Sequence, residues 1–120
     1  MVASFTEIND DDELDDFLNT TDLTDVVIIQ FTASFCKRCV ILKEEIAATF
    51  SETMRWVVVD VDESQILQSR FNVTQLPRVD VYCKGVARSL VAFDATIEKV
   101  RTLVEEVDRG FPMLDLSADF

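Results

Sequence analysis

Hydrophobic and polar positions along the chain change period several times, and each change marks an element. The opening VASFTEI reads as a short strand, and NDDDELDDFL then supplies N-capping side chains and an acidic first turn for a helix from about Asp10 to Asn19. DVVIIQFTA is a continuous β-branched and apolar run, the pattern of a central strand covered on both faces. From Cys36 to Phe50 the period becomes helical: Val40, Leu42 or Lys43, Ile46, Ala47 and Phe50 recur at helical spacing, with Lys43, Glu44, Glu45 and Glu52 to be distributed outward.

RWVVVDV repeats the buried-strand pattern, with Trp56 expected as a strand-edge packing residue. DESQILQSRF reads as a helix with Ile66, Leu67 and Phe71 inward. Together these segments form a βαβ unit with a right-handed crossover. RVDVYC and ARSLVAF flank Lys84-Gly85 as an antiparallel hairpin. DATIEKVRTLVEEVDRG closes the pattern as a helix capped by Asp94, with Ile97, Val100, Leu103, Val104 and Val107 on one stripe and a stop at Gly110. The fold class is therefore α/β, a mixed sheet with helices on both faces.

Composition narrows the function classes. At 120 residues and 48% hydrophobic, the chain suits one domain over residues 1–110, followed by a tail at 111–120 that frays or packs loosely. A formal charge of −12 opposes approach to nucleic acid or to an anionic membrane, so neither is an expected partner. No apolar run reaches the roughly 20 residues of a membrane span, and the acidic opening lacks the form of a secretory or transit signal. With three cysteines, an odd number, a reducing compartment is expected, and the cytoplasm fits.

Cys36 and Cys39 stand where the buried strand hands over to the helix. Zinc would need four ligands, and the chain has no histidine and only Cys83 besides this pair. A buried, inert pair is opposed by Lys37 and Arg38 between the sulfurs, since charged spacers are costly to bury. Redox chemistry uses every feature. A helix N-terminus and two neighbouring cations stabilise a thiolate, and one turn brings the sulfurs together. Cys83 reads as a small buried hydrophobe.

VVIIQFTASFCKRCV, VVVDVDESQILQSRFNVTQLPR and VYCKG, in this order, resemble the thioredoxin family from about Thr6 to Val107. The resemblance implies the thioredoxin fold, with a central sheet of four or five strands. It implies that Cys36 is the exposed nucleophile and Cys39 the buried resolving cysteine. Pro77 becomes the cis-proline facing them, with Phe35, Leu76 and Arg78 bordering the substrate groove. No metal or organic cofactor is implied. The expected partners are disulfide-containing proteins, with a thioredoxin-reductase-type enzyme or a small dithiol as electron donor and the chain acting as a monomer.

Departures from the family surround the pair. Phe35 replaces the usual tryptophan, Lys37-Arg38 the usual Gly-Pro, Gln30 a buried aspartate, Glu44 a helix-kinking proline and Arg78 a threonine, while the position of a lysine common in bacterial members falls near Val58. Lys37, Arg38 and Arg78 would then put three cations at the rim, where the first two tune the Cys36 thiol. Such cations should lower its pKa from about 8.5 into the range of roughly 3.5–7.5, with a disulfide nearer about −200 to −230 mV than about −270 mV. With no carboxylate at position 30, water or Glu44 would take the Cys39 proton. The expected activity is thiol–disulfide exchange serving electron transfer and redox homeostasis. Its alternative is a weakly active or inactive interaction module on the same fold, since one fold hosts many roles.

Overall fold

A computed structural model describes residues 5–20, 26–50, 55–83 and 88–108. Within them run β1 (Thr6–Glu7), α1 (Asp11–Asn19), β2 (Val26–Thr32), α2 (Lys37–Thr49), β3 (Arg55–Asp60), α3 (Gln65–Arg70), β4 (Arg78–Cys83), β5 (Arg88–Phe93) and α4 (Ile97–Asp108). The sheet order is β1-β3-β2-β4-β5. β2 pairs parallel with β3 and antiparallel with β4, and β4 pairs antiparallel with β5.

The run that marks β2 is unbroken because both of its faces are covered. Val27, Ile29 and Phe31 face Leu14 of α1 and Leu67 of α3, together with Val57 and Val59. Val26 and Ile28 face Leu42 and Ile46 of α2 and Val100 and Val104 of α4. Alternate side chains of a strand point to opposite faces, so β2 joins two cores that lie on either side of the sheet.

Local signals place the helix ends. Asp10 caps α1 by accepting from the Glu13 N–H at 3.0 Å, and Ser64 caps α3 by accepting from the Leu67 N–H at 3.3 Å. Arg70, at the end of α3, forks onto Asp11 and Asp15 and ties α3 to α1. Those hydrogen bonds hold the Arg70 guanidinium above its ordinary pKa.

Several expectations are corrected. Thr96, not Asp94, caps α4, because its side chain accepts from the Lys99 N–H at 3.3 Å and its carbonyl from the Val100 N–H at 3.0 Å. Asp94 instead takes a left-handed backbone with φ 50°. Ile66 is 67% exposed: α3 is only six residues long, and Leu67 takes its single inward position. Val40 is exposed because the inward stripe of α2 is Cys39, Leu42 and Ile46, and Val40 sits a further 100° around the axis. Trp56 lies buried in β3, one strand in from the sheet edge, with the Phe5 ring tilted against it at 5.3 Å. The hairpin turn at Lys84-Gly85, the stop at Gly110 and the tail 111–120 lie outside the described residues. Among the described residues, no helix is long and apolar enough to cross a membrane.

Candidate active site

The site forms where β2 ends. The Cys36 N–H donates to the Ala33 carbonyl at 3.0 Å, a tight turn that delivers the chain to the start of α2. Cys36 is the N-cap, with extended dihedrals, and its Sγ accepts from the Cys39 N–H at 3.2 Å. One of the unpaired donors of the first helical turn is therefore aimed at this sulfur, which is how a helix start favours a thiolate. Cys36 and Cys39 form a disulfide, with their Cα atoms 5.3 Å apart.

The two sulfurs occupy different environments. Cys36 is half-buried beside Phe35, which is 73% exposed, whereas Cys39 is fully buried. Beneath Cys39, the buried Gln30 side chain donates through Nε2 to the Cys39 carbonyl at 3.0 Å. Its Oε1 has no hydrogen-bond partner among the described residues. The Cys39 Sγ lies 4.0 Å from the Phe31 carbonyl. Glu44 is exposed on α2. A neutral amide thus stands against the buried half of the pair, as expected for a site whose flanking position 58 is also uncharged.

The Leu76–Pro77 peptide is cis. Pro77 is buried, and its carbonyl accepts from the Ala95 N–H at 2.9 Å, which binds this loop to the start of α4. Arg38 reaches across from α2: its Nη2 donates to the Leu76 carbonyl at 3.3 Å and pairs with Asp94 Oδ1 at 2.7 Å. Phe35, Cys36, Lys37, Arg38 and Leu76 thereby come together around a cleft of about 750 Å³ that extends toward Thr74 and Gln75.

Arg78 departs from the expected rim of three cations. It is 7% exposed, and its guanidinium forks onto Asp80, with Nε to Oδ1 at 2.8 Å and Nη2 to Oδ2 at 3.1 Å. Its Nη1 also donates to the Phe71 carbonyl at 2.6 Å, and the rings of Phe31 and Phe93 lie within 5.5 Å of the charge. The cation is consumed internally, and it ties the end of α3 to β4 directly after the cis-proline. Burial pushes the Asp80 carboxyl up, desolvation outweighing the opposing pull of Arg78.

Asp80 and Asp94 support the site, although the sequence gives Asp80 no role and Asp94 only that of a helix cap. Asp80 is two residues from Arg78 on one strand, hence on the same face, and that spacing was a usable signal. Asp94 meets Arg38 only through the tertiary fold. Elsewhere, Asp11, Asp12 and Asp15 bring carboxylate oxygens within 4.8 Å of one another, but Arg70 already bridges the first and third.

Comparison with known proteins agrees with this geometry. Residues 5–109 match the thioredoxin family model. The chain is 30% identical over 108 residues to Thioredoxin-like 3-1, chloroplastic, from Arabidopsis thaliana, a match covering 82% of this chain and 51% of that protein. It is 32% identical over 108 residues to human Protein disulfide-isomerase A6, covering 84% of this chain and 22% of that protein. The chain thus spans about half the length of the first relative and less than a quarter of the second. Thioredoxin NaTrxh from Nicotiana alata superposes with a TM-score of 0.75 at 16% identity, covering 88% of this chain and 94% of that one. A family match over almost the whole described length, on a mixed five-stranded sheet with a cysteine pair at the head of α2, makes the chain a member of the thioredoxin family.

Proposed function

We propose that this chain is a thiol–disulfide oxidoreductase that reduces or exchanges disulfides through Cys36 and Cys39. In the reduced protein, the Cys36 thiolate attacks one sulfur of a substrate disulfide; the substrate S–S bond breaks, and the departing thiolate takes a proton from water. Cys39 then loses its proton and attacks Cys36 Sγ. The second substrate thiol leaves, and the Cys36–Cys39 disulfide remains. Two electrons have passed from the pair to the substrate.

The observation that carries this reading is the position of Cys36, half-buried at the cleft with its Sγ accepting the Cys39 N–H. Leu76, with Phe35, offers the surface for the bound substrate, and the buried Pro77 sets the course of the loop that presents it. A reductase-type enzyme or a small dithiol returns the pair to the reduced state. The cytosol is the proposed compartment, supported by the odd cysteine count.

Reduction of a protein disulfide with dithiothreitol as electron source tests the reading. Turnover above background that is abolished in Cys36→Ser supports it. Wild-type turnover equal to background favours the interaction-module alternative.

A further inference from the structure

We propose that Arg38 and Asp94 gate the Leu76 carbonyl, so that the site accepts compact disulfides more readily than disulfides carried on extended polypeptide. This rests on the disulfide-exchange reading above and specifies its substrate class. An extended chain lying beside Cys36 needs main-chain hydrogen-bond acceptors on the cis-proline loop. The Pro77 carbonyl already accepts from the Ala95 N–H at 2.9 Å. The Leu76 carbonyl accepts from Arg38 Nη2 at 3.3 Å, and this guanidinium approaches from the solvent side, since its side chain is 63% exposed. A docking strand that uses that carbonyl must share its oxygen with Arg38 or displace the guanidinium.

Asp94 makes the contact a built one. Its backbone is left-handed, with φ 50°, a conformation uncommon outside glycine that aspartate and asparagine tolerate best. Lys99 Nζ donates to the carbonyls of Phe93 at 3.1 Å and Asp94 at 3.3 Å, and the Ala95 N–H bond to Pro77 ties the same turn to the cis-proline loop. The turn that carries Asp94 is thus anchored through its backbone, and Asp94 Oδ1 pairs with Arg38 at 2.7 Å beside Leu76. A small disulfide escapes this obstacle, because the cleft of about 750 Å³ beside Cys36 opens past Lys37, Thr74 and Gln75 and requires no main-chain pairing. Exposed ion pairs are weak and screened by salt, so the gate biases the choice of substrate and does not forbid peptides.

The test compares two substrates in single-turnover reactions of the reduced protein, quenched with acid and read by thiol alkylation and mass. One is neutral bis(2-hydroxyethyl) disulfide; the other is an extended, uncharged peptide dimer joined by a disulfide. Asp94→Asn keeps the left-handed turn and removes the charge, and Arg38→Gln removes the other partner from the exposed face of α2. Either variant should raise the peptide-to-small-disulfide rate ratio about two- to fivefold, the range open to an exposed pair. Added salt should raise the wild-type ratio toward that of the variants and leave theirs unchanged. A change in Cys36 nucleophilicity moves both rates together and cancels from the ratio. Normal exchange with a ratio unmoved by both variants and by salt overturns the gate alone, whereas absence of exchange with either disulfide in the wild type overturns the proposed function and the gate with it.

Discussion

The Cys39 N–H donates to Cys36 Sγ across 3.2 Å, so the turn that spaces the two sulfurs also aims a donor at one of them. In the reduced protein this donor, with the positive end of α2 behind it, favours the Cys36 thiolate. Thiolate absorbance should therefore titrate with a midpoint below that of an ordinary cysteine. Because Asp94 offsets the charge of Arg38, Lys37→Ala should move that midpoint upward more than Arg38→Ala does. A midpoint at the ordinary value contradicts the helix-start argument, and equal shifts in the two variants contradict the part assigned to Asp94.

Arg78 and Asp80 form a buried fork directly after the cis-proline. Removing one partner leaves an uncompensated buried charge, which typically costs about 3–5 kcal/mol. Arg78→Met should lose stability on that scale in urea unfolding. Replacing both residues, as in Arg78→Met with Asp80→Leu, should recover most of the loss, since apolar groups of similar volume substitute well for a buried pair. A double variant as unstable as the single one contradicts this account.

Much of the architecture was legible because it follows from burial. β2 and β3 face helices on both sides, so their apolar runs are continuous; α4 faces the sheet on one side only, so its stripe of Ile97, Val100, Val104 and Val107 is periodic. The cysteine pair was legible because two sulfurs one turn apart at a strand-to-helix junction need nothing distant to define them. Arg78 was misplaced for the opposite reason. A cation after a cis-proline looks like a rim residue until its same-face neighbour Asp80 and the carbonyl of Phe71 are seen to enclose it. The meeting of Arg38 with Asp94 spans 56 positions of chain and depends on a left-handed turn that no local pattern announced.

Burial also gives Asp80 a pH signature. Its folded pKa is raised above the ordinary carboxylate value, so the native state holds this proton more tightly than the unfolded chain does. The associated stability is fully present below the unfolded pKa of about 3.9 and is lost as pH rises through the folded value. The stability difference between wild type and Asp80→Asn should therefore shift against the wild type as pH rises from about 4 through that window. A difference that shifts in favour of the wild type over the same interval means that attraction to Arg78 outweighs desolvation.

Gln30 marks the step most open to improvement. It lies fully buried beneath Cys39 with its Oε1 unpartnered among the described residues, and an amide cannot accept the Cys39 proton. Gln30→Asp supplies a base at this place. Resolution of a mixed disulfide should accelerate about a hundredfold, at the modest end of general-base effects, and acquire a pH dependence set by the new carboxyl. Stability should fall at pH values where that carboxyl is ionised, because no cation lies opposite it at Val58. Rapid-quench measurement of the resolution step checks both, and an unchanged, pH-independent rate contradicts the role given to position 30.

The sulfur that carries the account is Cys36, and trapping its covalent intermediate tests it most directly. Cys39→Ser, reduced and mixed with a disulfide substrate, should accumulate a stable mixed disulfide that intact mass and peptide mapping assign to Cys36, while Cys36→Ser should accumulate none at neutral pH. An adduct on Cys83, or equal labelling of Cys39 when Cys36 is replaced, would contradict the division of labour between an accessible attacking sulfur and a buried resolving one.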